Sequence, residues 1–312
     1  MDFLEKLSSV FAIVLPILVA LALGWFSQRK RLVDAHTVDG LKTLVVRFML
    51  PAVLFRAFYQ MEFSGKLALI AACMFLCCLA GLGLGVLLLK FGQKKEGLLP
   101  FLTCGFEAGM MGYGLYTMLF STAETYNFAM MDLGQVLFVF TVYSALLNRK
   151  KGITGKQTLL SMVTSPVFVA IVAGAVVSIS GLGVLIQRSM AGAAVDAALS
   201  YIGTPTGVLM IFVVGYQLTW SKQSLKSALF AVAVRTVIMA VLCGVSLLAL
   251  KWIFVTVEPP LFWATVLMFT LPAPFVLPIF SGDEEQKGYV ATALSIGTLL
   301  SIVLFALISA LQ

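Results

Sequence analysis

The sequence has little charge and almost no histidine, and both shortages narrow the choice of function. Charged residues make up 11% of the 312 residues, hydrophobic residues make up 61%, and the mean hydropathy is +1.04. Such a composition leaves little room for a soluble domain, in which about a quarter of the residues are charged. His36 is the single histidine and is predicted to lie in a loop, which excludes a histidine proton relay within the apolar segments.

Motifs for common enzyme chemistry are also missing. The sequence contains no phosphate-binding loop, no HExxH zinc motif and no GxSxG nucleophile elbow. The five cysteines all fall within apolar segments, so neither an external disulfide nor a metal cluster is expected. We therefore predict that the chain is not an enzyme and holds no cofactor, apart from a coupling proton or sodium ion.

What the sequence does contain is a series of apolar segments. A transmembrane helix needs about 20 apolar residues, and ten candidates occur. We predict an all-α integral membrane protein with ten transmembrane helices at residues 9–26, 42–59, 67–89, 98–120, 127–147, 165–182, 197–218, 228–250, 260–280 and 288–310.

The positive charges predict how these segments are oriented. If the N-terminus is outside, 14 of the 21 Lys and Arg residues fall in loops on the inner side. Loops rich in Lys and Arg stay in the cytoplasm. The prediction is a multi-pass protein of the inner (cytoplasmic) membrane with both termini outside. Because no aromatic residues are interleaved with these charges, no nucleic-acid partner is expected.

The second five segments repeat features of the first five. An odd number of spans per repeat turns the second copy upside down in the membrane, which is typical of secondary transporters. We predict a first five-helix repeat at 1–148, a basic cytoplasmic linker at 149–164 and an inverted second repeat at 165–312. The matched positions, at offsets that only increase, are Pro16 and Pro166, Gly24 and Gly174, Pro51 and Pro205, Gly83 and Gly244, and Asp132 and Ser295.

Spans four and nine occupy equivalent places in the two repeats and carry unusual residues. We predict that both are broken, near Gly105–Gly114 and near Pro272–Pro278, because proline blocks helix continuation and glycine tolerates non-helical backbone. Paired interruptions of this kind point to a transport site. A second interpretation of the glycines is a small-residue stripe for close helix packing. The residues concerned are Gly105, Gly109, Gly112 and Gly114 in span four and Pro272, Pro274 and Pro278 in span nine.

Ionisable residues within the spans are candidates for function, because they are costly in a bilayer. Glu107 lies in the middle of span four. Asp132 is either a ligand of a coupling ion, together with Ser295, or a carboxylate exposed to a water-filled vestibule. Arg235 either binds an anionic substrate or pairs with Glu107 or with a backbone carbonyl. Arg56 lies close enough to a span end to extend its charge towards water.

The order of several motifs resembles that of the auxin efflux carrier family, in its prokaryotic malate-permease-like branch. The resemblance rests on Leu50–Pro51, the glycine-rich span four, Gly215–Leu218 and Thr292–Ser295. It implies the fold of bile acid–sodium symporters, with broken helices 4 and 9 that cross. Helices 1, 2, 6 and 7 would form the scaffold, and helices 3–5 and 8–10 the core. The chain departs from the family signature at Glu107, where an asparagine is usual, and at Gly114, where a proline is usual.

These observations predict a gradient-driven secondary transporter that moves a small organic acid by alternating access. A carrier of amines or other cations is the first alternative, and a channel or receptor-like membrane protein is the second. The expected partners are the solute, the lipid bilayer and, as an open alternative to a monomer, a second copy of the chain. The predicted substrate-binding residues are Gly105, Glu107, Gly109, Gly112, Tyr113, Pro272, Pro274, Thr204, Thr206 and Arg235, and the predicted coupling residues are Glu107, Asp132 and Ser295.

Overall fold

The structure, a computed structural model, is mainly helical in the part of the chain that it describes. That part comprises residues 3–60, 65–89, 97–121, 124–149, 156–157, 160, 163–254, 256–281 and 283–312, and it contains no strand. The predicted basic linker at 149–164 lies largely outside the described residues.

The first half contains eight helices within the described ranges. A π-helical turn at Val45–Met49 joins α2 to α3, and another at Val139–Tyr143 joins α7 to α8, so that each pair forms one continuous rod. A third π-helical turn, Ala108–Gly112, leads directly into α6. The helices are α1 (Phe3–Lys30), α2 (Ala35–Leu44), α3 (Leu50–Tyr59), α4 (Gly65–Leu89), α5 (Leu99–Leu102), α6 (Tyr113–Leu119), α7 (Thr125–Phe138) and α8 (Ser144–Arg149).

The second half begins with a helix that carries a proline in its first turn, where the missing N–H costs nothing. A 3₁₀ turn at Leu277–Phe280 precedes the last helix, whose first turn is capped by the Asp283 carboxylate. The helices are α9 (Pro166–Ile179), α10 (Leu182–Arg188), α11 (Met190–Gly203), α12 (Thr206–Tyr216), α13 (Leu225–Ile253), α14 (Pro259–Thr270) and α15 (Glu284–Leu311).

Six helical stretches of the described chain are long and apolar enough to cross a membrane. They coincide with predicted spans one, three, five, seven, eight and ten: Val10–Lys30, Gly65–Leu89, Thr125–Leu147, Gly192–Tyr216, Leu225–Ile253 and Glu284–Leu311. Spans six and nine appear as the shorter apolar helices α9 and α14. Span two contains a π-helical turn within the continuous α2–α3 rod, and span four is interrupted between Leu102 and Ala108. The total of ten therefore stays a prediction.

Exposed apolar side chains fit a bilayer rather than water. In α13, Val237, Val241 and Leu248 are each about 60% exposed, and they lie on a helix with no polar outer face. Apolar surface of this extent is rare on a water-soluble monomer. The chain is a multi-pass membrane protein.

The most extensive helix packing joins the first half of the chain to the second. The two most extensive contacts join α1 to α12 and α3 to α9, which are predicted spans one with seven and two with six. Gly24 of α1 lies against the backbone of Phe212, and its predicted counterpart Gly174 of α9 lies against the backbone of Phe55. This pairing is the one expected of two related halves, whereas their inverted relation stays a prediction.

A second set of contacts joins the other long helices. Helix α4 packs on α7, and α13 packs on both α15 and α4. The two sets meet where α6 lies against α12 and where α7 lies against α3. The candidate site lies along this boundary.

Candidate functional site

The first predicted interruption is present, and it is shorter than predicted. Helix α5 ends at Leu102 and the helical backbone resumes at Ala108. Gly105 lies between them with a φ of +66°, in the left-handed region that favours glycine. A Cβ atom there would lie 3.0 Å from Pro274 Cγ. Gly105 therefore allows both the bend and the close approach of the second interrupted segment.

The prediction that the interruption extends to Gly114 was wrong. Gly109, Gly112 and Gly114 lie in helical backbone, because glycine permits a break without requiring one. A Cβ at Gly112 would lie 2.5 Å from Phe128 Cζ, and one at Gly114 would lie 3.3 Å from Gly207 Cα. For these two positions, close packing is the better interpretation.

The second interruption follows α14 and contains the predicted prolines. Helix α14 ends at Thr270, Pro272 and Pro274 lie in the irregular stretch that follows, and Pro278 lies in the 3₁₀ turn. Each proline removes a backbone donor and blocks the preceding helical geometry. The two interruptions meet, since the Glu107 N–H donates to the Pro272 carbonyl oxygen at 2.9 Å.

Glu107 binds both interrupted segments through its carboxylate. Its Oε1 accepts a hydrogen bond from the Met110 N–H at 3.2 Å, at the start of the resumed helix. Its Oε2 accepts one from the Phe275 N–H in the other segment. A single carboxylate is thus held by two backbone amides from two different broken helices.

Arg235 of α13 also binds both interrupted segments at the place where they meet, which we call the crossing. Its guanidinium donates to the carbonyl oxygens of Leu102 at 2.8 Å, Gly105 at 2.7 Å and Leu271 at 2.9 Å. Of the alternatives predicted for Arg235, the contact with backbone carbonyl groups is confirmed. Neither of the two ion pairs in the described chain involves Arg235, so pairing with Glu107 is not found. Broken helices leave carbonyl groups without intrahelical partners, and Arg235 satisfies three of them.

The surroundings of Arg235 leave no room for a solute. The side chain is 6% exposed, and the two cavities beside it measure about 10 and 30 Å³. Pro272 also borders both of these small voids. In this structure Arg235 and Pro272 support the crossing, and neither borders any of the larger cavities.

Asp132 lies in a buried polar cluster next to the crossing. Its Oδ2 accepts from the Tyr113 hydroxyl at 3.0 Å and its Oδ1 from the Gln135 side-chain amide at 3.1 Å. The same Gln135 Nε2 donates to the carbonyl oxygen of Phe106 at 3.1 Å. Because the Asp132 carboxylate and the Phe106 carbonyl both accept, the Gln135 side chain must present its Nε2 to them. The Oε1 of Gln135 has no partner in the described structure.

A cavity of about 310 Å³, which we call the Lys42 cavity, brings part of the predicted site together. Four of the predicted site residues line this cavity, and so do three polar or contact residues that the sequence analysis did not assign to the site. The predicted ones are Glu107, Gly109, Asp132 and Pro274, and the missed ones are Lys42, Gln135 and Phe275. Gln135 could have been found from its spacing, because it lies one helical turn after Asp132 in an apolar helix.

A separate cavity of about 320 Å³, the Arg56 cavity, holds three other predicted residues: Tyr113, Thr204 and Thr206. It lies towards the opposite end of the α2–α3 rod. Arg56 borders it and forms a bidentate ion pair with Asp196 of α11, at 2.6 and 2.8 Å. No sequence pattern marks this pair, because its members are 140 residues apart.

Ser295 borders a third cavity, of about 550 Å³, which also contains Gln28. Its hydroxyl accepts from the Thr219 N–H at 3.0 Å. None of the described cavities holds both Ser295 and Asp132, so the structure does not bring the two predicted coupling residues into one site. The third cavity shares Lys42 and Phe275 with the Lys42 cavity.

Comparison with known protein families gives a match to the first half of the chain. Residues 9–157 match the family described as membrane transport protein. The matched region is a little under half of the chain and includes the first interruption, Glu107 and Asp132. The match supports the resemblance to the auxin efflux carrier family. No curated protein gives a significant match to the chain.

This match and the apolar helices together indicate a membrane transporter. Its implied partners are a small-molecule substrate and the lipid bilayer. A transporter family is not an enzyme family, in agreement with the sequence prediction.

Proposed function

We propose that the chain is a gradient-driven secondary transporter that moves a small organic acid across the cytoplasmic membrane by alternating access. The observation that carries this proposal is the contact of two interrupted helices beside the Lys42 cavity. Non-helical backbone at membrane depth is tolerated where it borders a cavity. In transporters built from repeats, such a place is where the substrate binds.

The crossing supplies the groups that a carboxylate needs. The Met110 and Phe275 N–H groups converge on one carboxylate, that of Glu107. Lys42 adds a positive charge to the same cavity. A volume of about 310 Å³ is near the lower end of the range for small-molecule sites, about 300–1,000 Å³, and suits a small acid.

Alternating access is supported by the position of the cavities. The Lys42 and Arg56 cavities lie at opposite ends of the α2–α3 rod. The close contact of Gly114 with Gly207, which joins α6 to α12, borders the Arg56 cavity. Movement of one helix set against the other would expose the crossing to each side in turn. With Lys42 on the predicted inner side, the Lys42 cavity faces the cytoplasm.

A proton gradient is the proposed driving force. Glu107 and Asp132 both border the Lys42 cavity and can each take up a proton. A sodium site made by Asp132 and Ser295 has less support, since the two residues border different cavities.

Transport of an amine is the second candidate, and one observation favours it. Two carboxylates, those of Glu107 and Asp132, border the Lys42 cavity together with Gln135, whose Oε1 has no partner in the described structure. All three side chains accept hydrogen bonds. An ammonium group would donate to them. The two candidates therefore differ in the charge of the solute.

Counterflow in proteoliposomes tests both. Vesicles containing the purified chain are loaded with malate, acetate, phenylacetate, ethanolamine or putrescine, and uptake of the radiolabelled compound is followed. We expect saturable counterflow with an acid and competition by other acids. Counterflow with amines alone would favour the second candidate. Conductance without saturable counterflow would contradict a carrier and indicate a channel.

A further inference from the structure

We infer that Glu107 is a built-in competitor of the solute: its carboxylate occupies the place of the solute carboxylate, so an acid binds only when Glu107 takes up a proton and releases the amides. This inference rests on the proposed function and specifies how the solute is recognised. The starting point is the position of Glu107 at the crossing, where it forms hydrogen bonds with both broken helices.

The amides of Met110 and Phe275 are the first element of the argument. They come from separate segments, yet both donate to Glu107, one to each carboxylate oxygen. A side chain that only capped its own helix would need the Met110 contact alone. The additional bond to Phe275 gives this carboxylate the two-point contact expected of a bound acid.

The Lys42 cavity next to these amides is the second element. Glu107 borders it, so a solute in the cavity lies next to the amides that Glu107 occupies. Gln135 also borders this cavity, and its Oε1 is buried and without a partner in the described structure. A protonated carboxyl group has one O–H donor, and a released Glu107 could donate it to this oxygen.

The charges around Glu107 explain why a proton accompanies the solute. Within the described chain, Lys42 and Asp132 border the same cavity. Arg235 is engaged by carbonyl groups behind the crossing, and the Tyr113 hydroxyl is engaged by Asp132. An ionised Glu107 and a solute anion would be like charges in a site with one lysine. Protonation of Glu107 removes one negative charge and frees the amides, and the proton comes from water on the side to which the cavity opens.

Binding of an acid to the purified, full-length wild-type chain tests the inference without any substitution. Malate, acetate and phenylacetate are almost entirely ionised between pH 7 and 8, so their own titration has little effect in this range. Calorimetry in buffers of different ionisation enthalpy measures the protons taken up. We expect about one proton per acid bound and an affinity that falls by about tenfold per pH unit on raising the pH. Binding without proton uptake would overturn the inference.

Substitution of Glu107 provides a second test of the inference. In Glu107→Gln the residue cannot carry a negative charge, so the pH dependence should disappear and the affinity at pH 8 should be at least about tenfold tighter than in the wild type. Glu124→Gln is the matched control, because Glu124 bonds Asn127 and borders none of these cavities. It should keep the wild-type affinity and slope.

The outcomes separate this inference from the proposed function. Acid binding with equal affinity and equal pH slope in the wild type and in Glu107→Gln would contradict the role of Glu107 alone. If neither variant binds an acid at any pH while ethanolamine or putrescine binds, the solute class is wrong and the inference fails with it.

Discussion

Tyr113 and Asp132 are joined by a hydrogen bond of 3.0 Å that links the two cavities on either side of the crossing. Tyr113 borders the Arg56 cavity, and Asp132 borders the Lys42 cavity. Both side chains are almost fully buried, and the Tyr113 ring packs edge-on against Phe128 at 4.9 Å. The ring is therefore part of the barrier between the cavities.

Removal of this ring should open the barrier. In Tyr113→Ala the lost side chain leaves a void between the two cavities, so we expect solute to leak through the protein without saturation. Tyr113→Phe keeps the ring and loses only the hydroxyl, and it should not leak. Efflux from proteoliposomes, measured over a range of solute concentrations, distinguishes these outcomes.

Tyr143 offers a matched control. It is also fully buried, and its hydroxyl donates to the carbonyl oxygen of Phe101, yet it borders neither the Lys42 nor the Arg56 cavity. Tyr143→Ala should destabilise the protein by about 3–5 kcal/mol, as large core truncations do, without a leak. A leak of equal size in both alanine variants would show that general loosening is responsible.

Gly105 and Gly109 should respond differently to alanine, although they are four residues apart. The positive φ of Gly105 and the contact with Pro274 predict that Gly105→Ala destabilises the protein by about 1–3 kcal/mol. Gly109 is in helical backbone, and its new Cβ would lie 3.6 Å from the nearest atom, in ordinary contact. Gly109→Ala should therefore be neutral or slightly stabilising. Thermal unfolding in detergent checks both, and equal losses would contradict the assigned end of the interruption.

The sequence allowed the two interruptions to be predicted because their causes are local. Proline removes a donor at its own position, so Pro272 and Pro274 mark the second break directly. Glycine is weaker evidence, since a helix can accommodate it, and the limits of the first break were accordingly wrong. The importance of Glu107 followed from the cost of a carboxylate among apolar residues.

The partners of these residues could not be predicted, because they depend on tertiary structure. Arg235 binds carbonyl groups of three residues, and every residue has a carbonyl group, so no sequence pattern marks its partners. Ser295 matches Asp132 by position in the repeat, yet the two border different cavities. Positions related by a repeat need not be close to each other in space.

Arg235 should be required for stability more than for solute binding. Its three carbonyl contacts are charge-assisted, and each is worth about 1.5 kcal/mol or more, so Arg235→Met should cost several kcal/mol. Arg235→Lys should recover only part of the loss, because an ammonium group lacks the planar fork of donors. Arg47→Gln, at an exposed arginine, should stay within about 0.5 kcal/mol of the wild type. Denaturation of the purified protein measures all three, and a stable Arg235→Met that binds solute weakly would contradict the supporting role.

The predicted orientation gives opposite accessibility to two exposed positions. Lys156 lies in the predicted basic linker and Thr256 lies shortly before α14, and both are exposed. Because Lys and Arg are retained on the cytoplasmic side, position 156 should be inside and position 256 outside. In a background without the five native cysteines, Thr256→Cys should react with a membrane-impermeant maleimide in intact cells, whereas Lys156→Cys should react only after permeabilisation. The reverse pattern would invert the orientation and place the Lys42 cavity on the outer side. Labelling of both positions from one side would be incompatible with the predicted number of spans between them.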